Sequence, residues 1–404
     1  MQLPKRIQLK AFSFGCMLLL LLTLLQSHSK AEDEFWGFYG HRLINRMAVF
    51  TLPSPMVPLF KGNIEFITEH SIDPDKRRYA APLEAVRHYI DLDRWGAYPF
   101  VEVPRDLSEA MIKYGSFHFI ETSTGDTLYQ WKEQKEWKAF ISDRRERLLL
   151  HEVQFKLYSF LDEGYLKVPE SWLPDSLNST SGELVFTQYF TEFGMLPYHL
   201  SLYQGRLTKA FREQDLPLII RLATEIGHYL SDAHVPLHTT MNYDGQLTGQ
   251  DGLHAFWESR IPELFAGEEY DFFVGKAQYI EDTDDFFWEI ILNSHTHVND
   301  VVRIEKALRS KFEADQQYCF EERGGKTTRL ECAEYARAYQ EAMGGMVEEQ
   351  MRRAIRAVGS SWYTAWVDAG EPTIANPSST QIDTSVLMNA DSMAAIQGVF
   401  NDQN

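Results

Sequence analysis

Cysteine is scarce: three in 404 residues, too few for a disulfide scaffold, and Cys16 falls within the first 31. The other two, Cys319 and Cys332, flank Glu321-Glu322-Arg323-Gly324-Gly325. In an oxidising compartment they are expected to form one disulfide closing a loop between helices, with two buried thiols as the alternative. Beyond residue 31 there is no third cysteine, and no histidine lies close to these two, which argues against a cysteine-based metal site. Long apolar runs are missing too. Beyond the N-terminus no stretch reaches about 18 uninterrupted apolar residues, so a soluble mature protein is expected. Positive charge is in short supply, with 39 Lys and Arg against 58 Asp and Glu. Such a surface repels nucleic acid and anionic lipid at long range, although bound divalent cations would reverse the sign inside a cleft. Alternating apolar and polar strand patterns are rare as well, which weighs against a β architecture.

What is present begins with a secretory pattern. Lys5, Arg6 and Lys10 precede an apolar run from Ala11 to Leu25, and Ser29-Lys30-Ala31 offers small residues for cleavage. Residues 1–31 therefore read as a signal peptide, and the location as secreted or periplasmic. Apolar content of 44% with 13% aromatics is enough for a large core. Helical periodicity runs through Arg42 to Phe50, Met56 to His70, Thr127 to Leu161, Tyr198 to Phe211, Leu218 to Ala233, Glu281 to Ala314 and Leu330 to Val358. Pro169 to Ser181 reads as an exposed loop containing the sequon Asn178-Ser179-Thr180, and residues 370–404 as a flexible tail. The expected architecture is one all-α domain over residues 36–368.

The chemistry concentrates in Gly227-His228-Tyr229-Leu230-Ser231-Asp232-Ala233-His234-Val235-Pro236-Leu237-His238. On a helix capped by Asp215, His228 and Asp232 share a face one turn apart, so an imidazole and a carboxylate can reach one metal ion. That face lies opposite the apolar stripe of Ile219, Leu222, Ala223, Ile226, Leu230 and Ala233, where a merely solvated face is the competing reading. Pro236 should end the helix near Ala233 or His234 and send His238 toward a different ion. Three further places carry similar chemistry. His254 and Glu258 are four apart in a short helix that Asp251 can cap. His41 follows Trp36-Gly37-Phe38-Tyr39-Gly40. Asp73-Pro74-Asp75-Lys76 precedes His88, and Asp73 before Pro74 also looks like a helix cap. Each piece alone is ordinary.

As an ordered set they resemble the zinc-dependent nuclease and phospholipase C superfamily, whose members include single-strand-specific nucleases of fungi and plants and secreted bacterial phospholipases C. The resemblance spans residues 36–258. It implies an all-α, multi-helix fold with an inserted helical segment at residues 115–201, and a cluster of up to three zinc ions. Asp73, His88, His228 and Asp232 would hold the first ion, and His238, His254 and Glu258 the second. The third would take His41, a bridging Asp232 and the main chain of Trp36. Lys76 would touch a phosphate oxygen and Asp73 would assist as a base. The implied protein is a monomeric phosphodiesterase acting on single-stranded nucleic acid, or, as the runner-up, a phospholipase C; a helical protein with structural metals is the third possibility. Three departures stand out: Glu32-Asp33-Glu34-Phe35 precede Trp36, His88 and His228 are unusually far apart, and the last acid is Glu258 rather than the Asp usual in the nucleases.

Overall fold

The computed structural model describes residues 38–78, 84–121, 127–130, 165–167, 182–188, 191–323 and 325–374. The signal segment, Trp36, Tyr79, the sequon loop and most of the C-terminal tail lie outside the described residues. Within them the protein is mostly helical. No helix among the described residues is long and apolar enough to cross a membrane.

Three helices form the frame. Helix α1 (Phe38–Ala48) crosses α5 (Leu216–Ala233), and both pack on the long C-terminal helix α10 (Met346–Asp368). The sequence dictates α5 closely. Asp215 caps it by accepting from the Leu218 amide, Pro217 sits in its first turn, and the helix ends at Ala233 just before Pro236. The apolar stripe faces the core as expected, but the opposite face is buried as well, so the solvated reading of His228 and Asp232 does not apply. Where α1 crosses, only a glycine fits. A Cβ on Gly227 would lie 2.0 Å from Asn45 Oδ1.

Around this frame stand α2 (Ile64–His70), α3 (Asp73–Arg77) and α4 (Leu196–Glu213). Helix α6 (Ile261–Glu269), α7 (Thr283–Thr296), α8 (Val298–Arg309) and α9 (Ala333–Ala342) stand there too, among shorter helical turns. Several expected helices are shorter than their apolar patterns. Met56 to His70 breaks at Asn63, and Glu281 to Ala314 breaks at His297. Leu330 to Val358 begins in a strand and is interrupted at Gly344 and Gly345, whose φ values of 62° and 86° are closed to most side chains.

The inserted segment corrects the all-helical expectation. Its described part is a four-stranded antiparallel sheet in the order β2-β1-β4-β3, made of β1 (Gly115–Glu121), β2 (Thr127–Gln130), β3 (Tyr165–Lys167) and β4 (Gly182–Gln188). Thr127–Gln130, expected as helix, is strand; Phe119 faces Tyr129 on one side and Leu184 on the other and is fully buried. A second departure is the hairpin β5 (Tyr318–Arg323) and β6 (Lys326–Glu331). The expected disulfide between Cys319 and Cys332 is present, but it fastens the base of this hairpin rather than a loop between helices.

Candidate metal centre

Six segments converge on one buried place. Helix α1 brings His41, α3 brings Asp75, and the 3-10 turn Ala85–Arg87 delivers His88 at its end. Helix α5 brings His228 and Asp232, and the 3-10 turn Pro236–Thr239, redirected by Pro236, brings His238. A short helix, Leu253–Ala255, and the π-helical turn Phe256–Arg260 carry His254 and Glu258. Four overlapping triads result, each with donor atoms within 4.8 Å of one another: His41, Asp75 and His228; His88, His228 and Asp232; His238, His254 and Glu258; His41, Asp232 and Glu258.

Asp232 is the hub. Its Oδ2 lies 2.9 Å from His88 Nδ1 and 3.4 Å from His228 Nε2, while Oδ1 lies 3.4 Å from His41 Nε2 and 3.7 Å from His238 Nε2. Glu258 plays a similar part, with Oε2 2.6 Å from His254 Nε2 and 3.4 Å from His238 Nε2, and Oε1 3.3 Å from His41 Nε2. The backbone fastens these side chains from behind. His228 Nδ1 donates to the Ser71 carbonyl at 2.7 Å, which leaves its Nε2 lone pair facing the cluster. The Ile90 amide donates to the His238 carbonyl, tying the two histidine-bearing segments together.

The end of the inserted segment clamps His88 in turn. Met195 and Leu196 amides bond the Val86 and Tyr89 carbonyls, and the Asp91 amide bonds the Phe193 carbonyl. This approach needs Gly194, where a Cβ would meet the Tyr89 carbonyl oxygen at 2.2 Å. The long stretch between His88 and His228 therefore returns directly to the metal centre.

Two expected residues are not brought in. Asp73 sits away from the histidines of the cluster, its carboxylate bonded to His70 Nδ1 at 2.6 Å and to Lys76 Nζ at 3.4 Å. Asp75 takes its place, 3.7 Å from His88, 3.9 Å from His228 and 3.9 Å from His41. The reason is register. Ile72, not Asp73, precedes the helix, so both acids are helical and point about 200° apart at about 100° per residue. Only one can face inward. Lys76, 53% exposed, follows Asp73 outward. The cation beside the cluster is Arg78, whose Nη1 bonds Asp75 Oδ1 at 3.2 Å and whose charge acts on Asp232 and Glu258.

Smaller expectations divide the same way. Asp251 does not cap the turn at His254; the Asp244 side chain accepts from the His254 amide instead. Phe38, Phe256 and Trp257 are core residues, and Tyr39 is partly buried. The exposed apolar side chains nearest the cluster belong to the loop ahead of His254: Met241, Tyr243 and Leu247. Neither this loop nor Asp75 and Arg78 stood out in the sequence, because all are ordinary polar or loop residues until the fold aims them.

Electrostatics sort the ligands into two groups. Burial pushes His88 and His228 well below the ordinary imidazole range, and His238 below it, so all three are neutral at pH 7 with lone pairs to offer. Burial opposes protonation of His41 and His254 too, but their hydrogen bonds to Glu258 win and raise both. Asp232 is driven well above the carboxylate range by burial, then by Glu258 and Asp75. Glu258 is held well below it, since the surrounding histidines outweigh its burial. Imidazole nitrogens and carboxylate oxygens are the donor set that zinc takes. The His88 and His228 nitrogens, 3.1 Å apart with one committed as a lone pair, fit a shared cation. No protein-family model, curated protein or solved structure matches the chain. What the fold and the site define is a mostly helical protein with buried His, Asp and Glu groups that can bind metal ions.

Proposed function

We propose that the protein is a secreted zinc-dependent phosphodiesterase that cleaves single-stranded nucleic acid, of the nuclease and phospholipase C type. One observation carries the reading: five imidazoles and three carboxylates, spread from His41 to Glu258, form overlapping triads around shared acids. Asp75, His88, His228 and Asp232 would hold one ion, and His238, His254 and Glu258 a second. His41 with Asp232 and Glu258 would hold a third, to which the resemblance would add the main chain of Trp36, outside the described residues. Zinc bound there supplies Lewis acidity toward water and toward the phosphoryl oxygens.

The chain's own residues do the rest. Asp232, shared by two triads, fixes the spacing between ions. The three neutral histidines would offer lone pairs without first losing a proton. Arg78, held at the edge by Asp75, is placed to receive a non-bridging phosphate oxygen, the role the resemblance gave to Lys76. Asp73, engaged with His70 and Lys76, has no part in this scheme. The group of His238, His254 and Glu258 would leave a coordination position for substrate, which favours catalysis over purely structural metal.

A second reading, a phospholipase C, draws support from the exposed Tyr243, whose ring lies 6.2 Å from that of His254, with exposed Met241 and Leu247 in the same loop. The test is to incubate the mature protein with single-stranded DNA, RNA and phosphatidylcholine vesicles, with and without a chelator. Chelator-sensitive cleavage of nucleic acid is the expected result. Cleavage of vesicles alone selects the phospholipase, and bound zinc with no cleavage of any substrate selects a structural role.

A further inference from the structure

Behind His88, on the side away from the cluster, lies a carboxylate with no counterpart in the ligand scheme. Glu84 precedes the turn Ala85–Arg87, so Glu84 and His88 are four apart and stand on the same side one turn from each other. Its side chain is 1% exposed. Burying a carboxylate this deeply is costly unless donors surround it. They do: Arg87 Nη1 bonds Oε2 at 2.7 Å, the Tyr229 hydroxyl donates to Oε1, and Arg77 Nη2 stands 3.6 Å from Oε1. Those donors are anchored in turn. Arg77 pairs with Glu225 at 2.9 Å, and Glu225 accepts from the Tyr203 hydroxyl at 2.7 Å. Glu84 is thus held in a fixed position by Arg87, Tyr229 and Arg77, and the candidate ligand its carboxylate faces is His88.

His88 presents the complementary need. Its Nδ1 faces Asp232 and His228, and its buried Nε2 has no hydrogen-bond partner. The carboxylate nearest that nitrogen is Glu84, with Oε1 3.8 Å away. When Nδ1 gives its lone pair to a cation, the ring proton must sit on Nε2, where it needs an acceptor. A metal-ligating histidine ordinarily gives this proton to a carboxylate or carbonyl, which fixes the tautomer and makes the ring a better donor. His228 uses the Ser71 carbonyl in this way.

We propose that Glu84 is the positioning residue of the metal centre, the acceptor that fixes the His88 tautomer with its proton on Nε2 and its Nδ1 lone pair toward the ion. The inference rests on the metal reading above. Glu84 touches no ion and no substrate; it acts through His88. It also gives Tyr229 a purpose beyond packing, because the phenol beside His228 carries the carboxylate that serves His88.

The test is zinc binding by the full mature protein, measured by competition with a chromophoric chelator, alongside histidine ring nitrogen spectra of the zinc-loaded protein. Glu84→Gln keeps the shape, and is expected to weaken the tightest His88-dependent zinc site about tenfold to a hundredfold, the usual effect of losing such a partner. The His88 ring signal should lose its single Nε2–H signature. Glu225→Gln, which loosens the same network at one remove, should leave zinc affinity within about threefold. If Glu84→Gln does not fold, Tyr229→Phe, which removes one of the groups aiming the carboxylate, is expected to weaken zinc several-fold. Equal zinc affinity in wild type and in Glu84→Gln (or in Tyr229→Phe, where Glu84→Gln does not fold), or a wild-type His88 carrying its proton on Nδ1 when loaded, overturns the proposal. A wild-type protein that binds no divalent ion overturns the metal reading itself.

Discussion

Replacing Asp232 with asparagine separates the two things its carboxylate does. In the loaded protein it serves two donor triads, so the exchange removes a charged ligand from two ions at once. Zinc sites of about four ligands are worth roughly 10–16 kcal/mol, or about 3 kcal/mol for each ligand, which is about a hundredfold in affinity. The triad of His238, His254 and Glu258 does not include Asp232 and should keep its ion. In the metal-free protein the sign reverses. Asp232 is then buried beside Glu258 and Asp75, which disfavours its charge, and asparagine relieves that repulsion. Asp232→Asn should therefore match or exceed the wild type in metal-free melting temperature, yet lose most of the gain that zinc confers. Zinc stoichiometry by chelator competition and thermal melts with and without zinc read both effects. A variant that binds as many ions as tightly as the wild type would refute the shared role. So would one whose metal-free form is several kcal/mol less stable.

Arg78→Ala should lower kcat/KM by about tenfold to a hundredfold through a lost charge-assisted contact, whereas Lys76→Ala, at an exposed ion pair, should stay within about twofold in steady-state assays. Gly227→Ala should cost about 3 kcal/mol or more in urea unfolding, because the new methyl displaces the buried Asn45 side chain; Gly227→Ala combined with Asn45→Ala should recover part of that loss. Glu225, held at about 2 because Arg77, Arg221 and Tyr203 outweigh its burial, lies below its unfolded value of 4.5. Its contribution of about 3 kcal/mol is present in full above pH 4.5 and drains as the pH falls toward 2. Urea unfolding of chelated wild type and Glu225→Gln should accordingly differ by about 3 kcal/mol at pH 7 and by about half of that at pH 3. An unchanged difference would refute the assignment.

Features set by neighbouring residues could be read in advance. The Asp215 cap, the proline in the first turn and the stop before Pro236 are local chemistry, and they placed His228, Asp232 and His238 correctly. The cysteine pairing followed from there being no other partner. Asp73 against Asp75 was different, because the choice depends on whether the helix begins at Ile72 or one residue later, and both acids flank the same proline. For the same reason Lys76 pairs with the outward Asp73, and Arg78 with the inward Asp75. The inserted sheet escaped notice because its strands are short, and their partners lie dozens of residues apart, as β1 and β4 do. The charges of β5 and β6 similarly hid a hairpin inside what reads as a loop between helices. Glu84, Tyr229 and Glu225 form a network that only the fold assembles.

The wide turn at Phe256–Arg260 has a consequence for how such a site arises. One residue more than an α-helical turn separates the end that carries His254 and Glu258 from the packed helix that follows at Ile261. Deleting a single residue there would restore the ordinary pitch and swing one side against the other by about 100°. The core could then keep its seating only if Glu258 swung out of reach of His41 and His238. The extra residue in this turn thus lets one continuous stretch seat its helix in the core and still aim a carboxylate at three histidines.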